Sequence, residues 1–125
     1  MSPAEICSIV GNVFGVDTND MRQKTRKDRG DRVVFARFAA ISLTRKKTAL
    51  TTTKIAHFFN LKNHATVINA MHKHEDMYET NRFYATIFDI AVENVSKSDF
   101  ERLQLTDFIP FIYSLDTLTD EQNIE

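Results

Sequence analysis

Apolar residues recur at helical spacing along most of the chain. Between Ser2 and Gly15 they lie three or four positions apart, as the inner face of a helix requires. Ser2, followed by proline, is typical of a helix start, and Gly15 is typical of a helix end. A polar stretch at 25–31 predicts a loop. The apolar run at 33–43 then predicts a buried central helix that ends at 46–47.

The segment 53–75 has the form of a short helix, a tight turn and a second helix. Threonines at 51–53 are predicted to cap the short helix over 54–59, and Asn63 is predicted to cap the second. Between them, Asn60 can adopt the left-handed backbone that a tight turn needs. This layout is that of a helix–turn–helix, in which the second helix enters the major groove of DNA.

The pattern after residue 75 predicts a helix over 75–95. Its inner face is expected to hold Phe83, Ile87, Ile90 and Ala91, which follow helical spacing. A last helix is predicted to begin where Ser98 and Asp99 offer cap chemistry, and it is followed by an acidic tail.

We therefore expect an all-α fold. The 125 residues suit a single compact domain, and the low content of 3 Gly and 2 Pro favours long helices over turn-rich β structure. A multi-helix domain that contains the helix–turn–helix is predicted over 1–95, and the resemblance described below implies that this domain binds DNA. Residues 96–125 are predicted to form an acidic, apolar helical extension packed on it.

Several classes of site and location are disfavoured by the composition. The single cysteine, Cys7, excludes an internal disulfide and is expected to be a small core residue. No signal peptide and no membrane-length apolar run is present, so we expect a cytoplasmic protein. No catalytic motif occurs, and we expect neither an enzyme nor a cofactor. The four histidines lack metal-ligand spacing, so a surface or DNA-contacting role is expected for them and no metal site.

The formal net charge of −1 hides a strong asymmetry. Residues 1–75 hold 13 Lys/Arg against 6 Asp/Glu, whereas 76–125 hold 3 against 11. The basic side chains concentrate in 22–73, where only two acids occur. Such a stretch attracts polyanions, although on charge alone a solvated basic face is an equally good interpretation.

The segment 55–70 reads IAHFFNLKNHATVINA. It resembles the signature of the C-terminal DNA-binding domain (domain IV) of the bacterial replication initiator DnaA, with the same spacing and no gap. The positions identical to that signature are Ile55, Phe59, His64, Thr66, Val67 and Ala70. Upstream, 35–43 is similar to the family's helix that contains an arginine, here Arg37, and 24–32 falls on its basic loop.

The resemblance implies double-stranded DNA as the partner, with the second helix in the major groove and the basic loop at the minor groove. Asn63, His64 and Ala65 fall on base-reading positions. Lys62 and Thr66 fall at the start of the recognition helix, where phosphate or base contacts are expected. The remaining implied contacts, to phosphates or to the minor groove, are Lys24, Arg26, Lys27, Arg29, Arg32, Arg37, Thr52, Thr53 and Lys54.

Two departures from the signature bear on the DNA sequence that would be read. Asn63 replaces an acidic residue, and a carboxamide pairs with adenine rather than with a cytosine amine. Ala65 replaces threonine and keeps only a methyl-sized contact, for example to thymine. We therefore expect a preferred DNA sequence that differs from the usual initiator box.

Two functions remain open from the sequence. The first is a sequence-specific regulator of transcription or a replication accessory protein, of bacterial, phage or mobile-element origin, without the initiator's ATPase. The second is a protein-interaction module, such as a stand-alone initiator-domain mimic or a phage structural or replisome protein. Residues 96–125 are expected to cover the domain, to bind a protein partner or a second copy, or to shield the basic surface with their acidic tail.

Overall fold

The computed structural model describes residues 1–22 and 30–107, with side chains described up to Glu101. These residues form six helices: α1 (Pro3–Phe14), α2 (Thr18–Arg22), α3 (Gly30–Lys47), α4 (Thr52–Phe58), α5 (His64–Thr80) and α6 (Arg82–Asp107). The two described ranges contain no β-strand, and the predicted all-α fold is confirmed. None of the helices in this part of the chain is long and apolar enough to cross a membrane.

The first helix begins and ends as its sequence predicts. The Ser2 hydroxyl accepts a hydrogen bond from the backbone N–H of Glu5 at 3.2 Å, and Pro3 occupies the first helical position. At the other end, Gly15 has a φ of 71°, in the left-handed region, and its N–H bonds to the carbonyl of Gly11. Both ends of α1 are therefore set by local hydrogen bonds.

The central helix is α3, which contacts α1, α2, α4 and α5. Its buried apolar residues are small or aliphatic and allow close packing of these neighbours: Val33, Ala36, Ala39, Ala40, Ile41 and Leu43. The predicted end at 46–47 is confirmed. The predicted loop is wrong for Gly30 and Asp31, which form the first turn of α3, where a carboxylate is favoured by the helix dipole. Residues 25–29 of that loop lie outside the described residues.

The predicted continuous helix over 75–95 is wrong, because the chain breaks at Asn81. This residue has an extended backbone, with φ −120° and ψ 103°, and it separates α5 from α6. Its side-chain oxygen accepts a hydrogen bond from the backbone N–H of Tyr84 at 3.1 Å, which caps the start of α6. The predicted new helix start at Ser98 is also wrong, since α6 runs through that position.

The inner face of α6 only partly follows the predicted stripe. Ala91 is buried as predicted and Ile87 packs half-buried against the core, whereas the other buried side chains are Tyr84, Phe88 and Val95. Phe83, expected inside, is 72% exposed, and Ile90 is 45% exposed. Two apolar stripes run along this helix, and the neighbouring aromatic rings of the core select the one that begins with Tyr84.

The chain divides into two compact units, Met1–Val95 and Ser96–Glu125. The first unit contains the core, in which Tyr84 and Phe59 are the largest fully buried side chains. Cys7 is buried there as predicted, and burial raises the pKa of its thiol to about 12. A thiol held neutral in this way packs as a small apolar group.

Candidate nucleic-acid interface

A helix–turn–helix is formed by α4, the turn at 59–63 and α5. The Thr51 hydroxyl accepts a hydrogen bond from the backbone N–H of Lys54 at 3.2 Å and caps α4, which confirms a threonine cap. The helix itself begins at Thr52, two residues earlier than predicted. In the turn, Asn60 has a φ of 58°, which confirms the left-handed backbone expected of it. The N–H of Leu61 bonds to the carbonyl of Ala56 at 2.8 Å and closes the turn.

The turn is also fixed from outside by α2. The side-chain amide of Asn60 donates to the backbone carbonyl of Arg22 at 2.7 Å. In return, the Arg22 Nε donates to the carbonyl of Phe58 at 2.9 Å, and its guanidinium lies 4.1 Å from the centre of the Phe58 ring. One cation of the basic stretch is thus engaged in holding α2 against the helix–turn–helix.

The orientation of α5 is set by the core. Val67 and Ala70 on α5 are buried, as are Ile55, Ala56 and Phe59 on the preceding helix and turn. α5 also contacts α3, and His74 near its middle packs on Phe88 of α6. The buried face of α5 is therefore covered by neighbouring helices, and its opposite face is left outward. A helix held in this way presents fixed side chains to a ligand.

The predicted base-reading residues lie together at the start of α5. Asn63 is the N-cap, and its Oδ1 accepts a hydrogen bond from the backbone N–H of Thr66 at 3.3 Å, as predicted. Lys62, Asn63, His64, Ala65 and Thr66 are all exposed. The arrangement is an accessible helix N-terminus with polar side chains, which suits contacts with an anionic, hydrogen-bonding ligand.

Arg37 approaches the same helix from α3. It is only 7% exposed, yet it borders a cavity of about 310 Å³ whose wall also includes Leu61, Thr66 and Asn69. The helix arginine of the sequence motif therefore lies beside the first two turns of α5 rather than on a separate surface.

The other predicted contact residues lie around this centre. Thr52 is half-buried at the first position of α4, and Thr53 and Lys54 are exposed on its first turn. Arg32 is exposed near the start of α3. Its guanidinium lies beside Gly15 at the end of α1, 3.8 Å from the point where a β-carbon would stand on that glycine. Four predicted contacts lie outside the described residues: Lys24, Arg26, Lys27 and Arg29.

Two further exposed residues of α5 were not among the DNA contacts that the resemblance implies. Asn69 and His72 are exposed one and two turns after Ala65, on the face opposite Val67 and Ala70. Ile68 is 41% exposed beside them. Both could have been found from the sequence, because residues four and seven positions after Ala65 lie on the same face of a helix.

The histidines do not behave alike. His57, His64 and His72 are exposed, in keeping with a surface position. The expectation is wrong for His74, which is 5% exposed and lies with Nδ1 2.6 Å from the Tyr84 hydroxyl oxygen. Burial is the main cause that lowers its pKa from 6.5 to about 4, and the charge of Lys46 adds to the effect. Among the side chains that the structure describes, which end at Glu101, no group of three or more His, Cys, Asp or Glu is placed to hold a metal ion.

Comparison with known proteins places these features in one family. The model of the bacterial DnaA protein helix-turn-helix matches residues 3–73, which extend from α1 into the second half of α5. The match therefore includes the central helix, the capped turn and the exposed start of α5. A search of curated proteins gave no significant match. The chain belongs to the family of the bacterial DnaA helix-turn-helix domain.

Proposed function

We propose that this protein binds double-stranded DNA in a sequence-specific manner, with the start of α5 in the major groove. The observation that supports this most directly is the exposed run from Lys62 to Thr66 at the N-terminus of α5, within the segment that matches the family. Side chains at the N-terminus of a recognition helix are those that touch base edges in a helix–turn–helix.

His64 and Ala65 are the base-reading residues in this proposal, together with Asn63. The imidazole of His64 can donate to or accept from a base edge, depending on its tautomer. Ala65 offers a methyl group, which fits beside the methyl of thymine. Direct contacts of this kind distinguish one base pair from another by about 1–3 kcal/mol each.

Phosphate contacts surround the base-reading residues. Lys54 and Lys62 supply exposed charges on either side of the turn. We assign the hydroxyls of the half-buried Thr52 and the exposed Thr53 to hydrogen bonds with phosphate oxygens. Arg37 extends this set from α3, because it borders the cavity next to Thr66. Contacts with phosphates fix the register of the protein on the duplex but are insensitive to sequence.

The basic residues between 24 and 32 complete the proposed interface. Arg32 is exposed in the first turn of α3 and is assigned to the minor groove or to the adjacent backbone. Lys24, Arg26, Lys27 and Arg29 are assigned to the same contact from the sequence. Control of replication or of transcription at the bound site is the role we propose for the complex, with residues 96–125 available to a protein partner.

Titration of labelled duplexes at several salt concentrations tests this function. If five to eight phosphates are neutralised, the logarithm of the affinity should fall with the logarithm of salt with a slope between about −5 and −7. Lys54→Ala should weaken preferred and random duplexes alike and should make the slope less steep by about one unit.

A selection from a random duplex library tests the sequence-specific part. His64→Ala should lose discrimination at one base pair by about 1–3 kcal/mol while it keeps its affinity for random DNA. His57→Ala is the matched control, since His57 is an exposed histidine of α4 outside the proposed site. No binding to any duplex at low salt would overturn the proposal and would favour the protein-interaction module.

A further inference from the structure

The outward face of α5 continues beyond the residues at its start. Asn69 is exposed one turn after Ala65 and projects from the same side of the helix. Four residues of helix advance about 6 Å along the axis, which corresponds to one or two base pairs at a spacing of about 3.4 Å. In a recognition helix that lies along the major groove, a side chain at Asn69 is therefore beside base pairs beyond those within reach of His64 and Ala65.

The carboxamide of Asn69 is free to act as a donor and an acceptor. Among the described residues, its side chain makes no hydrogen bond, whereas the Oδ1 of Asn63 already accepts from the N–H of Thr66. Reading adenine with a carboxamide requires the oxygen and the nitrogen together, in a bidentate pair with N6 and N7 of the base. Ala65 has no polar group for this task. Asn69 is thus better placed for such a pair than Asn63, whose oxygen is directed toward its own helix.

The surroundings of Asn69 support a position against one strand of the duplex. Asn69 and Thr66 border the same cavity of about 310 Å³ as Arg37. A phosphate contact of the exposed Thr66 hydroxyl on this flank, as proposed above, would hold the adjoining base edges near Asn69. A phosphate contact fixes the register of the protein on the duplex. A bidentate base contact needs a fixed register, because the pair of hydrogen bonds tolerates little lateral displacement.

We infer that Asn69 is a specificity-determining residue that recognises an adenine in the major groove, next to the base pairs read from the start of α5. This inference rests on the proposed function, since it assigns a base to one residue of the same interface. The recognised DNA sequence then includes a further base pair, which is contacted one turn beyond the start of α5.

Parallel selections from a random duplex library test the inference with the wild-type protein, Asn69→Ala, Asn69→Gln and the control His57→Ala. The wild type and His57→Ala should return the same motif. Asn69→Ala should lose the preference for adenine at one position by about 5- to 150-fold and should keep the other positions. Asn69→Gln should retain part of that preference, because glutamine forms the same bidentate pair.

The possible failures of this experiment are distinguishable. An Asn69→Ala motif identical to that of the wild type would overturn the role of Asn69 while leaving sequence-specific binding intact. Loss of a base other than adenine would overturn the assignment of the base. A wild-type selection without any enriched motif would overturn the proposed function itself. Circular dichroism should give the same helix content for all four proteins, because Asn69 and His57 are exposed.

Discussion

Acidification should destabilise this domain through His74, which is buried where α5 faces α6. The ring centre lies 4.3 Å from that of Phe88 and 5.6 Å from that of Tyr84, whose hydroxyl bonds to Nδ1. The charged groups that act on the imidazole are Lys46, which disfavours the proton, and Glu75, which favours it less strongly. Burial and Lys46 together hold the pKa of His74 at about 4 in place of 6.5.

The sign of the effect follows from proton uptake by the unfolded chain. Between pH 6.5 and about 4, the unfolded chain binds a proton at His74 that the folded protein does not. The free energy of unfolding must then fall as the pH falls through this window, and the contribution levels off below it. The difference in pKa corresponds to about 3 kcal/mol. We reduce this to about 2 kcal/mol, because the imidazole borders a depression that is open to solvent and screens its charge.

Urea unfolding followed by circular dichroism measures this contribution at about pH 7 and about pH 4. His74→Gln removes the titrating group but retains a side chain that can bond to the Tyr84 hydroxyl. His72→Gln is the matched control, because His72 is an exposed histidine on the same helix. Wild type and His72→Gln should lose about 2 kcal/mol more on acidification than His74→Gln, whose remaining pH dependence comes from the other titratable groups.

Equal pH dependence of the three proteins would refute the reasoning. A nuclear magnetic resonance titration of the wild-type protein gives a second, independent reading that does not depend on any variant. The His74 ring should begin to titrate only as the pH approaches 4, whereas the exposed His72 provides an internal comparison. A midpoint for His74 close to 6.5 would show that its burial carries no cost for the charged form.

Three further predictions concern stability measured by urea unfolding. Phe88→Ala should lower the free energy of unfolding by about 3–5 kcal/mol, because this ring is buried. Phe83→Ala should lower it by no more than about 0.5 kcal/mol, because this ring is exposed. Equal losses would contradict the observed buried face of α6. Gly11→Ala should cost at least about 1–3 kcal/mol, since its β-carbon would overlap the carbonyl oxygen of Val16, and an unchanged midpoint would show that α1 can shift. Asn63→Ala should cost about 1 kcal/mol through loss of the N-cap, whereas Asn63→Asp should keep the cap and serves as its control.

Helix ends in this protein are largely predictable because their hydrogen bonds are local. Ser2 bonds three residues ahead, and Thr51 and Asn63 do the same. The left-handed turns at Gly15 and Asn60 likewise depend on residue type at a single position. Asn81 follows the same rule, since it bonds to the N–H of Tyr84. The signal for the break between α5 and α6 was therefore present in the sequence, although the apolar spacing around it continues without interruption.

The inner face of α6 could not be chosen from spacing alone. The series from Phe83 and the series from Tyr84 both repeat every three or four residues, and both include large side chains. The choice is made by contacts between elements, where Tyr84 meets Phe14 of α1 and Phe35 of α3 at ring separations of 6.0 and 5.8 Å. Its hydroxyl also requires a buried partner, which His74 supplies.

The same distinction applies to the proposed DNA interface. A contiguous motif such as Lys62–Thr66 can be assigned from the sequence, because its members share one helix start and are exposed together. Arg37 and Asn69 lie 32 positions apart and become neighbours only because α3 packs on α5. The preferred DNA sequence can change when a single residue of α5 is substituted. The register of the protein on the duplex, in contrast, depends on how α3 packs on α5 in the core. If both proposals hold, substitutions at Asn69 will alter which sequence is bound, and substitutions at Arg37 will weaken the binding of every sequence.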